Sequence, residues 1–511
     1  MSTTVEPQRD GPVIAERPQP GSPRPYDFPT VTTHALPNGL SIAVVDLPGR
    51  PLVSASLIVA GGASEEPPEM AGATVLAGRA LTEGTTRRDA IELVEAGERL
   101  GASLHADAGW DAVSVSVDVP AARIGAALEL MAEVFLEPSF PESEVERLRD
   151  ERLNDLLQAQ ADPRRRVEEA FIDTIYAGGS PYHRPSGGLR DTVERLTAAD
   201  LRATYELARQ PERTTLVVGG DLGGFDVVRA AEGLFGSWSS SGAARPERSV
   251  DDSGATGGRV VRVIHRPGAV QTEIRVGHRG LPRRTPDFHS VSVMSAILGG
   301  LFNSRLNMKL REEKGYTYGA GAGFDMRRGA GPFSARAAVN TEVTVPALVD
   351  MLAELERMRD TQVQTSELVA ARDFLIGVFP LRFETAGAVV GALGSLAVHG
   401  LGVEELVGYR ANIESVDIDA VAAAARDHLH VDDAAIVLVG DADAFGADLE
   451  AAGLGRVVIE RESASVESAP TDESEAPGPV DDEGKAGPTA GAEDPDVADV
   501  EGDADPGIET S

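Results

Sequence analysis

The pattern of apolar and polar residues in the first half of the chain switches repeatedly between two periods. A period of two is typical of strands with one buried face, and a spacing of three or four is typical of amphipathic helices. The alternation predicts a pair of strands joined by an Asn38-Gly39 turn, followed by further strands, at residues 33–45, 53–60, 112–119 and 214–218. Helical spacing predicts helices at residues 70–82, 90–100, 121–135, 142–160, 166–176 and 198–207. This mixture indicates an α+β fold.

Three short segments recur in the same order at nearly constant spacing. Residues 215–221 (TLVVGGD) match 435–441 (AIVLVGD) at an offset of 220, and the serine–glutamate pair at 143 recurs at 366. The segment GWD at residue 109 likewise recurs as GFD at residue 323. The repeat predicts two homologous lobes, at 31–236 and 259–450, each with helices packed on a mainly antiparallel sheet. Two unrelated α+β domains with similar strand endings are the alternative.

Composition shifts mark the segments outside these lobes. Residues 237–258 are rich in Ser, Gly, Arg and Asp, which predicts a linker. Residues 1–30 contain seven prolines and are predicted to be a disordered lead. Residues 461–511 contain 16 Asp or Glu, 2 Lys or Arg and no aromatic residue, so they cannot bury enough apolar surface to offset the entropy of ordering. We expect them to form a disordered acidic tail.

Charge and composition exclude several classes of function. The chain has 511 residues and a net charge of −35, which argues against nucleic acid or an anionic membrane as a partner. The absence of cysteine excludes disulfides, a thiol nucleophile and thiolate metal sites. Residues 1–30 contain no apolar run typical of a signal peptide, and no later segment has the uninterrupted apolar length of a membrane span. The sequence therefore favours a cytoplasmic location.

Three motifs resemble one peptidase family. Residues 61–67 (GGASEEP) followed by 72–85 (GATVLAGRALTEGT) are similar to the opening of the pitrilysin/insulinase peptidases, the inverzincins. Residues 180–188 (SPYHRPSGG) resemble a loop of that family, and residues 298–318 (LGGLFNSRLNMKLREEKGYTY) resemble a more specific motif of its second half. The resemblance extends over about 430 residues and implies a duplicated α+β fold.

The resemblance also implies where a zinc site should lie, and the required residues are missing. The family binds zinc through H-x-x-E-H, in which two histidines one helical turn apart bind the metal and the glutamate acts as general base. The corresponding positions here are Val75, Gly78 and Arg79. A third ligand, a glutamate in the family, corresponds to Asp155, which is one methylene shorter. We expect Asp155 to form an ion pair with Arg79.

No alternative metal or nucleophile site can be assembled from the sequence. None of the nine histidines has a second histidine four residues away, and His428 and His430 would point to different faces of a helix. We therefore expect these histidines to be structural or exposed. The Gly299-Gly300 pair lacks the spacing of a phosphate-binding loop, and no G-x-S-x-G nucleophile elbow is present. We expect this chain to hold no cofactor of its own.

Arg311 and Tyr318 are the candidate functional residues. In the family, an arginine and a tyrosine of the second half help to hold the substrate opposite the zinc helix. A guanidinium and a phenol both donate hydrogen bonds to carbonyl or carboxylate oxygens. The alternative is that Arg311 is a solvated helix residue and Tyr318 a strand residue packed on one face. Arg305 is a weaker candidate for binding.

The resemblance implies a role in a complex of two chains. In the similar bacterial peptidases, one chain carries the zinc motif and a homologous chain carries the arginine–tyrosine motif. We therefore expect this chain to be the non-zinc subunit of a heterodimeric metallopeptidase that acts on peptides or unfolded segments, with zinc in its partner. A catalytically inert scaffold is the alternative, similar to the core subunits of the respiratory cytochrome bc complex.

Overall fold

Two six-stranded sheets organise the computed structural model, which describes residue 21 and residues 24–240, 253–255 and 258–461. The first sheet has the order β1-β2-β6-β3-β5-β4 and the second the order β12-β7-β11-β8-β10-β9. Most neighbouring strands are antiparallel, which confirms the predicted α+β fold with mainly antiparallel sheets. The strands are β1 (Thr32–Ala35), β2 (Ser41–Asp46), β3 (Leu52–Ala60), β4 (Ser103–Ala108), β5 (Ala112–Pro120), β6 (Thr214–Gly220), β7 (Val260–His265), β8 (Gln271–Arg279), β9 (Ala320–Phe324), β10 (Pro332–Asn340), β11 (Ala435–Gly440) and β12 (Arg456–Arg461).

The two sheets repeat the same register as well as the same strand order. Ile58 on β3 lies opposite Ser114 on β5 and opposite Thr215 on β6. Gly277 on β8 lies opposite Ser334 on β10 and opposite Ala435 on β11. Each of these partners in the second sheet lies 219 or 220 residues after its counterpart in the first. The internal repeat inferred from the sequence therefore corresponds to two lobes in which β2 to β6 and β7 to β11 share one topology. The sixth strands differ, because β1 is antiparallel to β2 whereas β12 is parallel to β7.

Helices cover both sheets. The helical boundaries agree closely with the hydrophobic pattern; for example, the helix predicted at 90–100 is observed at Ala90–Leu100, between a capping box at Asp89 and a left-handed Gly101. The α-helices are α1 (Ala73–Ala80), α2 (Ala90–Leu100), α3 (Ile124–Leu136), α4 (Glu142–Ala161), α5 (Pro163–Ile175), α6 (Arg190–Val193), α7 (Ala198–Ala208), α8 (Val227–Phe235), α9 (Phe288–Ser295), α10 (Thr344–Asp360), α11 (Thr365–Val378), α12 (Ala386–His399), α13 (Glu404–Val407), α14 (Tyr409–Ser415), α15 (Ile418–His428) and α16 (Ala442–Ala451). Two π-helical segments are present at Ala296–Gly300 and Asn307–Glu313. Short 3₁₀ turns lie at Ala63–Glu65, Pro68–Met70, Ala121–Arg123, Pro181–His183, Pro211–Arg213, Thr341–Val343, Pro380–Phe383 and Val431–Asp433.

Each lobe lends one helix to the other lobe's sheet. Helix α5, from the first half of the chain, packs on β8 and β11 of the second sheet, and its Phe171 and the following Tyr176 are fully buried there. Helix α12, from the second half, packs on β3 and β6 of the first sheet. The two helices occupy equivalent places in the repeat, since their N-capping residues, Asp162 and Thr385, are 223 residues apart, the same offset as the two serine–glutamate pairs. The exchange helps to join both lobes into one compact unit.

The prediction that residues 1–30 form a disordered lead is partly wrong. Residues 24–30 pack against the second lobe, where the rings of Tyr26 and Phe28 make edge-to-face contacts with Phe379 and Phe383 respectively. Burial of Phe28 within the second hydrophobic core outweighs the cost of ordering this proline-containing segment. The remaining residues of the lead, apart from residue 21, lie outside the described residues.

The other boundary segments are described only in part. In the predicted linker, residues 237–240, 253–255 and 258 are described, and Gly254 forms a bridge to Tyr176 at the end of α5. Strand β12 continues the second sheet beyond residue 450, and its last residue, Arg461, forms an ion pair with Asp443. The rest of the predicted acidic tail lies outside the described residues.

Among the described residues, no single helix has both the length and the apolar composition needed to cross a membrane. The segments Thr365–Phe383 and Ala386–His399 meet that criterion only as a pair, and they are bent by 112° at the break between them.

Candidate functional site

Helix α1 carries the three positions that correspond to the zinc motif. Gly72 precedes the helix in a left-handed conformation (φ 97°), and a Cβ there would lie 2.7 Å from the carbonyl oxygen of Gly187. Gly78 faces β4, where a Cβ would lie 2.6 Å from Cβ of Ala108. Val75 is partly buried, whereas Arg79 is exposed. The sequence therefore uses glycine at the general-base position so that α1 can approach the sheet closely.

Asp155 lies on α4, which packs against α1, but it does not pair with Arg79 as predicted. Its carboxylate accepts hydrogen bonds from Arg152, one turn earlier on α4, and from Arg165 on α5 at 2.7 Å. These two arginines are closer in the fold than Arg79. Burial opposes ionisation of Asp155, but the hydrogen bonds and charges of the two arginines outweigh it and hold the pKa of Asp155 below its ordinary value.

The residues at this position do not fit zinc. Val75 has no donor atom, Gly78 has no side chain, and the guanidinium of Arg79 carries no lone pair for a metal. Asp155, the carboxylate at the position of the third ligand, already neutralises two arginines. Helix α1 and Asp155 therefore do not provide a ligand set for zinc.

One other cluster has the composition of a metal site, and its atoms are already used in the fold. Within the described residues, His265, Asp441 and Asp443 are the group whose ligand atoms lie within 4.8 Å of one another. Nδ1 of His265 accepts the amide of Ala442 at 3.1 Å, and Asp443 is paired with Arg461. The equivalent residue in the first lobe is Asp46, whose carboxylate accepts the amide of Leu222 at 3.2 Å. His265 therefore has a structural role as the acceptor of a backbone amide. In the first lobe the carboxylate of Asp46 accepts the equivalent amide.

Arg311 lies on the π-helical segment Asn307–Glu313, which we call the Arg311 helix. Its side chain is 39% exposed, and its guanidinium carbon lies 4.6 Å from the centre of the Phe302 ring. Phe302 is itself 65% exposed. Nε of Arg311 is 3.5 Å from Glu312, a weak surface contact. The guanidinium is thus oriented by an aromatic ring while remaining accessible to oxygen acceptors.

Tyr318 precedes β9 by two residues and is 93% exposed, so it is not a packed strand residue. Its loop has a defined backbone. Gly315 takes a left-handed conformation (φ 64°) at the end of the Arg311 helix, and the Tyr316 amide donates to the Leu310 carbonyl at 2.9 Å. Thr317 Oγ1 donates to the Gly319 carbonyl at 2.8 Å. The phenol is therefore presented to solvent by a well-bonded turn.

Asn307 connects the segments that carry these exposed groups. Its Nδ2 donates to the carbonyl of Leu301, the residue before Phe302, at 3.2 Å. Its Oδ1 accepts the amide of Ala320, two residues after Tyr318, at 2.8 Å. The sequence reasoning missed Asn307 and Phe302, because neither residue type indicates chemistry without knowledge of its neighbours.

Arg305, the weaker candidate, is buried and forms a bidentate ion pair with Glu367, at 2.7 and 2.9 Å. This pair joins the Arg311 helix region to the N-terminus of α11. Arg305 therefore stabilises the second lobe, and its guanidinium is occupied by Glu367 rather than exposed beside Arg311 and Phe302.

The motifs at 61–67 and 180–188 meet at the boundary between the lobes. Glu65 is buried and accepts from Arg213 at 2.5 Å and from Arg328 of the second lobe at 2.7 Å. The Tyr182 hydroxyl accepts the Gly329 amide at 3.2 Å, and the Arg327 guanidinium lies 4.9 Å from the Tyr182 ring centre. These residues form contacts between the lobes, which gives both motifs a structural role.

Two family models match the chain. The model described as insulinase (peptidase family M16) matches residues 41–184. The model described as the peptidase M16 inactive domain matches residues 195–375. The first matched segment contains β2 to β5, and the second contains β6 and the Arg311 helix.

Relatives and solved structures agree with the models. An uncharacterized zinc protease of Mycobacterium bovis is 26% identical over 410 residues, which cover 80% of this chain and 93% of the relative. A similarly named protein of Streptomyces coelicolor is 25% identical over 408 residues, covering 78% and 87%. The crystal structure of a peptidase M16 inactive domain from Pseudomonas fluorescens has a TM-score of 0.75 at 25% identity, covering 80% of this chain and 98% of that one.

A protease from Helicobacter pylori has the same fold, with a TM-score of 0.74 at 19% identity over 81% of this chain and all of that one. The two family models together account for well over half of the sequence and include parts of both lobes. The chain therefore belongs to the insulinase family of peptidases, peptidase family M16.

Proposed function

We propose that this chain is the non-zinc subunit of a heterodimeric insulinase-type peptidase and that it binds peptide substrates through Arg311 and Tyr318. The observation that carries the proposal is the contrast between the lobes. The first lobe has lost every zinc-binding position on α1, whereas the second keeps an arginine and a tyrosine exposed on a well-bonded framework. A homologous partner chain would supply the zinc.

The chemistry of the two side chains supports substrate binding. A guanidinium held over an aromatic ring offers several N–H donors without further loss of side-chain freedom. A solvent-exposed phenol can donate to a substrate carbonyl and can stabilise the oxyanion that develops when water attacks it. Neither residue needs a metal of its own for these roles.

The experiment reconstitutes the pair and changes one donor at a time. Arg311→Ala removes charged hydrogen bonds that contribute about 1.5–3 kcal/mol, so kcat/KM of the pair should fall about ten- to a hundredfold. Tyr318→Phe removes only the hydroxyl and should also lower kcat/KM. The matched controls are Arg456→Ala, an exposed arginine on β12, and Tyr316→Phe, a tyrosine of the same loop. Both controls should keep wild-type turnover.

A catalytically inert scaffold of the same fold is the second candidate, favoured by the extensive bonding of the family motifs at the lobe boundary. In that case Arg311→Ala and Tyr318→Phe would both form the complex and leave its peptide turnover unchanged. The purified chain alone should cleave no peptide under either function, so only the reconstituted pair separates them.

A further inference from the structure

Phe302 is an exposed aromatic residue on a fixed backbone. It follows the buried Leu301, whose carbonyl accepts both the Asn307 side chain and the Ser304 amide, at 3.2 and 3.0 Å. Its own side chain is nevertheless 65% exposed. Aromatic residues, including Phe, are enriched at binding interfaces, so an exposed ring on a well-bonded backbone is suited to contact a ligand.

The ring lies directly beside the proposed substrate-binding donor. The Arg311 guanidinium carbon is 4.6 Å from the ring centre, and the remainder of the ring is open to solvent. Because the donors of a guanidinium lie in its plane, an arginine stacked on a ring still presents N–H groups at its edge. A peptide whose carbonyl binds Arg311 would therefore place a neighbouring side chain close to Phe302.

Asn307 fixes the relative position of these groups. Its two hydrogen bonds tie the segment of Phe302 and the strand that follows Tyr318 to the first turn of the Arg311 helix. Arg311 lies four residues, about one turn, after Asn307. The cation, the ring and the phenol are consequently carried by one anchored unit, which is the arrangement that selectivity requires.

We propose that Phe302 is a specificity-determining residue, which makes peptides with a large apolar side chain next to the Arg311-bound carbonyl the preferred substrate class. This inference rests on the proposed function of Arg311. The alternative role for Phe302 is to hold the guanidinium only. The two roles differ in a measurable way, because a residue that only orients Arg311 affects every peptide equally, whereas a residue that contacts the substrate changes the ratio between peptides.

The test uses blocked hexapeptides that are identical except for one residue, which is Gly, Ala, Leu, Phe or Lys. The reconstituted pair is assayed for kcat/KM with each peptide. We expect the Leu and Phe peptides to be preferred over the Gly peptide by about tenfold or more, as for other apolar contacts in specificity pockets. Phe302→Ala should bring this ratio close to one, and Phe302→Tyr, which keeps the ring, should preserve it.

Leu381→Ala is the matched control, since Leu381 is 61% exposed in the same lobe. It should leave the ratio unchanged. The inference is overturned if wild type shows no preference, or if Phe302→Ala lowers kcat/KM by the same factor for all peptides. Its failure is distinct from failure of the proposed function, in which Arg311→Ala would have wild-type turnover on every peptide.

Discussion

Phe171 on α5 packs over Gly277 on β8, and a Cβ at Gly277 would lie 2.9 Å from Cζ of the ring. In the equivalent contact on the first sheet, the glycine is on the helix and the large residue is on the strand. There the helix residue is Gly394 on α12 and the strand residue is Ile58 on β3, whose Cδ1 would overlap a Cβ at Gly394. Both interfaces therefore place one large side chain against one glycine. The large residue is on the helix in one interface and on the strand in the other.

The first prediction concerns the pair Ile58 and Gly394. Gly394→Ala should lower the free energy of unfolding by about 1–2 kcal/mol, because overpacking of about 1–3 kcal/mol exceeds the gain in helix propensity. In an Ile58→Val background, which removes Cδ1, the same substitution should be neutral or stabilising. Urea unfolding of the four proteins measures the coupling, expected to be at least about 1 kcal/mol.

Gly277→Ala is the contrasting control for this cycle. A Cβ there would also overlap the backbone carbonyl of Phe333, which cannot move away as a side chain can. Truncation of Phe171 should therefore not rescue Gly277→Ala. Additive effects of Ile58→Val and Gly394→Ala would contradict the proposed packing.

The second prediction is that the zinc motif cannot be restored by substitution. The triple variant Val75→His, Gly78→Glu, Arg79→His should melt at a lower temperature than wild type and bind no stoichiometric zinc by elemental analysis. Gly78→Glu is responsible, because its Cβ would lie 2.6 Å from Ala108 of β4. Arg79→His alone, at an exposed position, should be nearly neutral. One zinc per chain in a triple variant of unchanged stability would refute this.

The third prediction concerns Glu65 at the lobe boundary. Its buried carboxylate neutralises Arg213 and Arg328, so Glu65→Gln should cost about 3–5 kcal/mol in the free energy of unfolding by leaving two largely buried cations unpaired. Glu137→Gln is the matched control, because Glu137 pairs with the exposed Arg87 and should cost less than about 1 kcal/mol. Equal costs for the two variants would show that Glu65 is effectively solvated.

The fourth prediction is a pH dependence that originates at His278. Nδ1 of this imidazole contacts the Arg279 carbonyl at 2.8 Å, and Nε2 accepts the His430 amide at 3.0 Å, an arrangement that requires the neutral ring. Burial, the main cause, lowers the pKa of His278 from 6.5 to about 4. As pH falls from 6.5 to 4, the unfolded chain takes up a proton that the folded chain does not, so stability is lost in that window, by roughly 3 kcal/mol.

His278→Gln can make both hydrogen bonds without titrating and should flatten the loss of stability between pH 6.5 and 4. His34→Gln, at an exposed position on β1, should leave the pH profile of wild type unchanged. Urea midpoints measured across this range provide the comparison. A profile of His278→Gln that superposes on wild type would assign the pH dependence to other groups.

The sequence was sufficient for most elements of the first lobe and for the repeat, although β4 and α8 were missed, but not for the exchange of helices. The period of α5 indicates that one face is buried, yet periodicity carries no information about which sheet buries it. The same limit explains the error at Asp155. Its charge predicted an arginine partner, but the choice between Arg79, Arg152 and Arg165 depends on how α4 and α5 meet. Arg311 and Tyr318 could be found because they lie in a specific motif, whereas Phe302 acquires its role only from the distance to Arg311.

The exchange of α5 and α12 also sets an order of events during synthesis. The first sheet is complete once β6 has been made, at residue 220, but α12, which covers its second face, ends at residue 399. At about 5–20 residues per second, that face stays uncovered for roughly 10 to 40 seconds. Ile58 and Val217 would then be open to chaperones or to neighbouring nascent chains. Synthesis of α12, rather than emergence of the first lobe, should therefore limit when the first sheet becomes resistant to proteolysis.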